Sequence, residues 1–126
     1  MENCGYTGKV KIGIDPASSE FLSGNVYDLG FKDKSSDKDK LPAAELGSLY
    51  REIIQKYPIV LLEDPFGQDD WDAWTDFNSK SQIELVGDDL LATNVHRIKI
   101  AKDRKACNAL LLKINQIGTI TEAIEA

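Results

Sequence analysis

Short apolar runs alternate along this chain with longer stretches in which apolar residues recur at helical spacing. Val10, Ile12 and Ile14 alternate with Lys11 and Gly13, which predicts a first strand stopped by Asp15-Pro16. Ile59-Val60-Leu61-Leu62 predicts a second strand that ends on Glu63-Asp64 and is closed by Pro65. A third run, 83–86, meets Gly87-Asp88-Asp89, and a fourth, 109–114, carries Lys113 after three leucines. Between the first two runs, Leu46, Leu49, Tyr50, Ile53, Ile54 and Tyr57 share one face of a helix expected over 41–57. Pro42 suits its first turn and Pro58 stops it. Trp71, Trp74 and Phe77 form the core-facing stripe of a second helix, which starts in the acidic turn Asp69-Asp70. Val95, Ile98 and Ala101 mark a third, capped by Thr93 or Asn94. Thr119 and Glu122 have the spacing of a capping box at the start of a fourth.

Strand and helix therefore alternate through short connections, which predicts a parallel sheet with helices outside it. Nearly continuous apolar strands point to burial on both faces. Glu63, Asp88 and Lys113 follow one another at intervals of 25 residues, one strand–helix unit each, and Asp15 precedes Glu63 by 48. The extra length belongs to residues 20–40, which read as an irregular hairpin turning at Ser23-Gly24-Asn25 followed by a charged, solvated loop at 32–40. Units of this size suit a (β/α)8 barrel, which needs about 250 residues. The expected fold class is thus α/β, a partial TIM-type barrel of four consecutive units forming a single segment over 1–126. A half barrel leaves its first and last strands as open edges, so self-association is expected of it.

Composition narrows the classes of function. The chain has 126 residues, 42% of them hydrophobic and 29% charged, with a net charge of -6. There is no basic footprint for nucleic acid. No apolar run has the length of a membrane span. Cys4 and Cys107 lie far apart without metal-site spacing, as reduced thiols of a cytoplasmic protein would. His96 is the single histidine and falls on a helix surface, which gives little support to Ser-His-Asp catalysis or a histidine metal site.

Candidate chemistry sits where the apolar runs end. In a parallel sheet the C-terminal ends of the strands share one rim, so Asp15, Glu63, Asp88 and Lys113 converge there. Three carboxylates at one rim repel each other unless a cation joins them, and an all-oxygen set suits Mg2+. A metal ion and burial would both lower the pKa of Lys113 and make its amine available as a base. Such a pair suits removal of a proton α to a carboxylate, with stabilisation of the enediolate. Taken one at a time, each carboxylate reads better as a helix cap or half of a salt bridge; it is four apolar runs ending in charge, in consecutive units, that point to a site. Asp64 and Asp89 are assigned to that structural role.

The blocks "GKVKIGIDPASSEF", "YPIVLLEDPFGQDDWDAW", "LVGDDLLATN" and "ALLLKINQIGTITEAIEA" resemble successive segments of eukaryotic-type enolases, the phosphopyruvate hydratases. The resemblance runs from about Gly5 to Ala126. It implies the glycolytic, cytoplasmic dehydration of 2-phosphoglycerate to phosphoenolpyruvate, with Asp15, Glu63 and Asp88 as Mg2+ ligands and Lys113 as general base. It further places Glu63 and Asp88 next to the substrate and implies a homodimeric full-length enzyme. The family's acid-step glutamates, its second-metal serine loop and its later substrate-binding residues have no match in 1–126, so the isolated chain is expected to turn over negligibly. Lys102 stands where the family's helix is usually apolar. Two other readings remain. One is a sugar-acid dehydratase or racemase of the same superfamily, against which the "LLLKINQIGT" block argues. The other is a non-enzymatic binding module in which Lys32, Lys34, Lys38 and Lys40 dock a plasminogen-type partner.

Overall fold

The computed structural model describes residues 1–32 and 39–126. In chain order the elements are β1 (Ile12–Ile14), β2 (Leu22–Ser23), β3 (Val26–Asp28), β4 (Lys40–Leu41), α1 (Ala43–Lys56), β5 (Ile59–Glu63), α2 (Trp71–Lys80), β6 (Glu84–Gly87), α3 (Val95–Arg104), β7 (Ala109–Leu110), α4 (Ile114–Ile117) and α5 (Ile120–Glu125). Four of these strands form a parallel sheet in the order β1-β5-β6-β7. The fold is α/β, a partial barrel with β1 and β7 on its two edges.

The expected hairpin turning at Ser23-Gly24-Asn25 is present, whereas most of the loop expected over 32–40 lies outside the described residues and Lys40, at its end, is in a strand. β2 and β3 pair antiparallel around a turn in which Gly24 takes a φ of 61°, a left-handed value that glycine adopts without steric cost. β4 adds a third strand, so Leu41, expected at the helix start, pairs with Tyr27 instead and α1 begins at Ala43. Lys32 is exposed, with its ammonium 5.3 Å from the Phe31 ring centroid. Lys34 and Lys38 lie outside the described residues.

Register decides which residues meet. Leu62 stands beside Ile14 and Leu85, whereas Glu63 stands beside Val86, which stands beside Ala109. Neighbours in a parallel sheet project to the same side, and successive residues to opposite sides. One face therefore carries Ile14, Leu62, Leu85 and Leu110; all four join the apolar core beneath the helices. The opposite face carries Leu61, Glu63, Val86 and Asp88, and Asp15 falls on it one residue beyond β1. Val86 is buried there, outside that core cluster.

The helices supply the rest of the core as expected from their spacing, with two corrections. Leu46, Tyr50, Trp74, Phe77 and Ala101 are buried, whereas Tyr57 is 47% exposed because the chain has already turned extended at the helix end. Lys102 is exposed, so α3 packs through Ala101 and Ile98 and the departure costs no packing. Phe66 is the hub, with edge-on contacts to Tyr27, Tyr50, Trp74 and Phe77 at centroid distances of 5.6–6.4 Å. Burial on both faces does not extend to every strand position, since Val60 is 45% exposed and Leu112 50%.

The fourth strand is shorter than its apolar run. Leu111 N–H still reaches Gly87 O at 3.1 Å, but the next amide on that side, Lys113 N–H, donates to the Thr93 hydroxyl at 2.8 Å. The ladder stops there and the chain turns into α4. Among the described residues, no helix is long and apolar enough to cross a membrane.

Candidate metal centre

Glu63 and Asp64 end β5 side by side and lead opposite lives. Asp64 is buried and takes a φ of 41°, left-handed space that aspartate tolerates better than most residues. Its N–H donates to Val86 O at 3.0 Å and its carbonyl accepts Ser18 N–H at 3.1 Å. Its carboxylate accepts the Asp88 N–H at 3.0 Å and the Asp89 N–H at 2.8 Å. Asp64 thus ties the loop after β1 to the ends of β5 and β6, the structural role expected for it. Burial pushes its pKa up, with the two amide hydrogen bonds opposing.

Glu63 faces the other side of the sheet. Its pKa is also raised, first by burial and then by repulsion from Asp15, Asp88 and Asp64, with Lys113 opposing. Asp15 is exposed and accepts the Ala17 N–H at 2.9 Å. Asp88 is nearly buried and held from two directions. The Lys113 ammonium pairs with its Oδ2, and Gln116 Nε2 donates to its Oδ1 at 3.0 Å. The four residues expected at one rim are therefore together there.

Two features add to the expected picture. In the metal-free chain Lys113 has a raised pKa, because the hydrogen bond to Asp88 outweighs the lowering by burial and Asp88, Glu63 and Asp89 all favour the ammonium. Secondly, the tightest acidic group among the described residues is Asp64, Asp88 and Asp89, whose oxygens lie within 4.8 Å of one another; this group could hold a metal ion. Asp15 and Glu63 are not part of it. Both Asp64 oxygens already accept backbone amides and both Asp88 oxygens accept side-chain donors, which leaves Asp89 as its freest member.

The donor set fits a hard divalent cation. It is built of carboxylates and carries more negative charge than one lysine offsets, a repulsion that adds to burial in raising the pKa of Glu63. A recess of about 610 Å3 lined by Leu22, Asn25, Gln68, Asp69 and Asp70 lies elsewhere, beside the β2–β3 turn. The charged rim outranks it as a site because the perturbed groups are there.

Thr93 and Gln116 escaped the sequence reading as site residues. Thr93 was an alternative helix cap, but Asn94 caps α3 by accepting the His96 and Arg97 amides, and the Thr93 side chain turns inward. Gln116 stood out only as a letter within a matching block. His96 is exposed and Thr119 caps α5, both as expected. Cys4 and Cys107 are free thiols, and burial pushes Cys107 up to about 11.

Strand-end carboxylates from successive units, with a lysine one unit further on, stand on the rim of a partial barrel. Residues 1–126 match the family described as Enolase, C-terminal TIM barrel domain, and the chain belongs to that family of lyases.

Proposed function

We propose that this chain carries the Mg2+ centre and the general base of a eukaryotic-type enolase, a cytoplasmic enzyme dehydrating 2-phosphoglycerate to phosphoenolpyruvate. The observation that carries the reading is the meeting of Glu63, Asp15 and Asp88 at one rim with Lys113, which pairs with Asp88; burial first, and then Asp15 and Asp88, raise the proton affinity of Glu63. Asp15, Glu63 and Asp88 are the proposed ligands: Asp64 is committed to two backbone amides, whereas Asp88 Oδ2 is held by the movable Lys113 side chain. Bound there, Mg2+ would stabilise negative charge developing on the substrate carboxylate as the α-proton leaves.

The chain's own residues do the rest of what can be assigned to it. Lys113 accepts the α-proton, and for this it must part from Asp88, because the ion pair holds the ammonium form. Its side chain is 40% exposed and so has room to move. Glu63 and Asp88 lie within reach of a substrate on the same face. Asp64 keeps the β5 and β6 ends in register while this happens. Homodimerisation of the full-length enzyme belongs to the same reading.

Mn2+ is a convenient stand-in for the cation, and its binding followed by electron paramagnetic resonance tests the reading. One saturable site is expected, with affinity lost at least tenfold in Glu63→Gln and Asp88→Asn. No saturable binding by the unaltered chain, or unaltered binding by both variants, overturns it. A coupled assay should find negligible phosphoenolpyruvate formation by the 126-residue chain, since acid-step and substrate-clamping residues that the family uses have no counterpart in it.

A further inference from the structure

We infer that Thr93 and Gln116 are positioning residues that set the orientation of Asp88 and Lys113 on the charged rim, an inference resting on the function proposed above. Thr93 is fully buried with a φ of 50°, and Ala92 before it has a φ of 48°. A β-branched residue in left-handed space is a genuine outlier, and such outliers persist where the surroundings over-determine them. Glycine or asparagine would meet the backbone requirement more easily. What threonine adds is the hydroxyl.

That hydroxyl accepts the Lys113 N–H at 2.8 Å, which ends the β6–β7 ladder and starts the turn that presents the lysine side chain. It also reaches Gln116 Oε1 at 3.5 Å as a donor. With Oε1 engaged by Thr93, the amide group left to face Asp88 is the NH2, and Nε2 donates to Asp88 Oδ1 at 3.0 Å. An uncharged donor orients a carboxylate without cancelling its charge. Asp88 is held on one oxygen by Gln116 and on the other by Lys113, so when the lysine moves away the carboxylate keeps its orientation. Outer partners of this kind typically alter metal affinity by about 10–100-fold when removed.

The test is Mn2+ affinity of the 126-residue chain, measured by electron paramagnetic resonance beside the thermal midpoint of each variant. Thr93→Val keeps the branched shape and removes the hydroxyl; Gln116→Leu removes the amide. Both should bind Mn2+ about 10–100-fold more weakly, and Thr93→Ser should retain most of the affinity. Gln116→Leu, at a half-buried position, should do so with little change in melting, which a merely structural role would not produce. If Thr93→Val does not fold, Gln116→Leu decides the matter alone. Wild-type affinity in Gln116→Leu, or a Thr93→Ser loss equal to that of Thr93→Val, overturns the inference. An unaltered chain that binds no Mn2+ overturns the proposed function first and this inference with it.

Discussion

The two faces of the parallel sheet are built to opposite rules. Under the helices, Leu62 and Leu85 pack beside aromatic side chains, and Tyr50 and Trp74 find hydrogen-bond partners in Ser18 and Gly67. On the other face, Glu63 meets Asp15 and Asp88, and like charges stand together with one lysine, Lys113, paired to Asp88. The first arrangement lowers the free energy of the folded chain, and the second raises it. The difference is legible in two adjacent residues, because Asp64 offers its charge to backbone amides while Glu63 offers its charge to other carboxylates. Strain gathers with the charge. Ala17, Asp64, Ala92 and Thr93 all have left-handed backbone and all follow strand ends on this rim. A rim poised in this way is what a cation or a charged substrate would relieve.

The sharpest blow to the stabilising face is Trp74→Ala. Trp74 is fully buried and its Nε1 donates to Gly67 O at 3.1 Å. A loss of about 3–5 kcal/mol is expected, a large share of the stability of a chain this size. Urea unfolding measures it, and a loss below about 1 kcal/mol would contradict the packing described.

Asp64→Ala comes next and tests the structural half of the carboxylate pair. It strips acceptors from the Asp88 and Asp89 amides, at roughly 1–3 kcal/mol for each donor left buried and unpaired. Amide hydrogen exchange at 88 and 89 should accelerate more than elsewhere. If exchange there is unchanged, Asp64 is not the staple between β5 and β6.

Glu63→Gln should have the smallest effect and the opposite sign. The Glu63 pKa is raised in the folded chain, so its carboxyl binds a proton more tightly folded than unfolded. Its contribution to stability is therefore fully present below the ordinary carboxylate range and is lost as pH rises through the raised value. At neutral pH the metal-free variant should melt a few degrees above the unaltered chain. That advantage should shrink as pH falls toward the carboxylate range. A variant advantage that grows with acid, or none at neutral pH, would remove the charged-rim account.

Much of this was readable from the residues alone. Apolar alternation located β1, a continuous apolar run located β5, and Pro58 and Asn94, one of two cap candidates, marked helix ends because each acts locally, proline through its fixed backbone and asparagine through its side-chain oxygen. Asp15, Glu63, Asp88 and Lys113 could be named together because each ends an apolar run and a parallel topology brings strand ends to one rim. The length of β7 could not be read, since its end depends on a hydroxyl twenty residues earlier in the chain. Nor could the Thr93–Gln116 pairing, which has no periodicity to betray it. That Lys113 pairs with Asp88 in the metal-free chain, which raises its pKa, could not be read either, because that contact is set by side-chain placement rather than by spacing.

Sequence by itself determined the alternation of strand and helix, the apolar face under the helices, and the presence of a charged residue at the end of each apolar run. These are local matters of period, turn chemistry and burial, decided within a few residues. Only the tertiary structure decided that Asp64 would satisfy amides while Glu63 would confront carboxylates. One residue of difference in a pleated strand sends two similar side chains to opposite faces, and the register with β1 and β6 determines what each of them meets there.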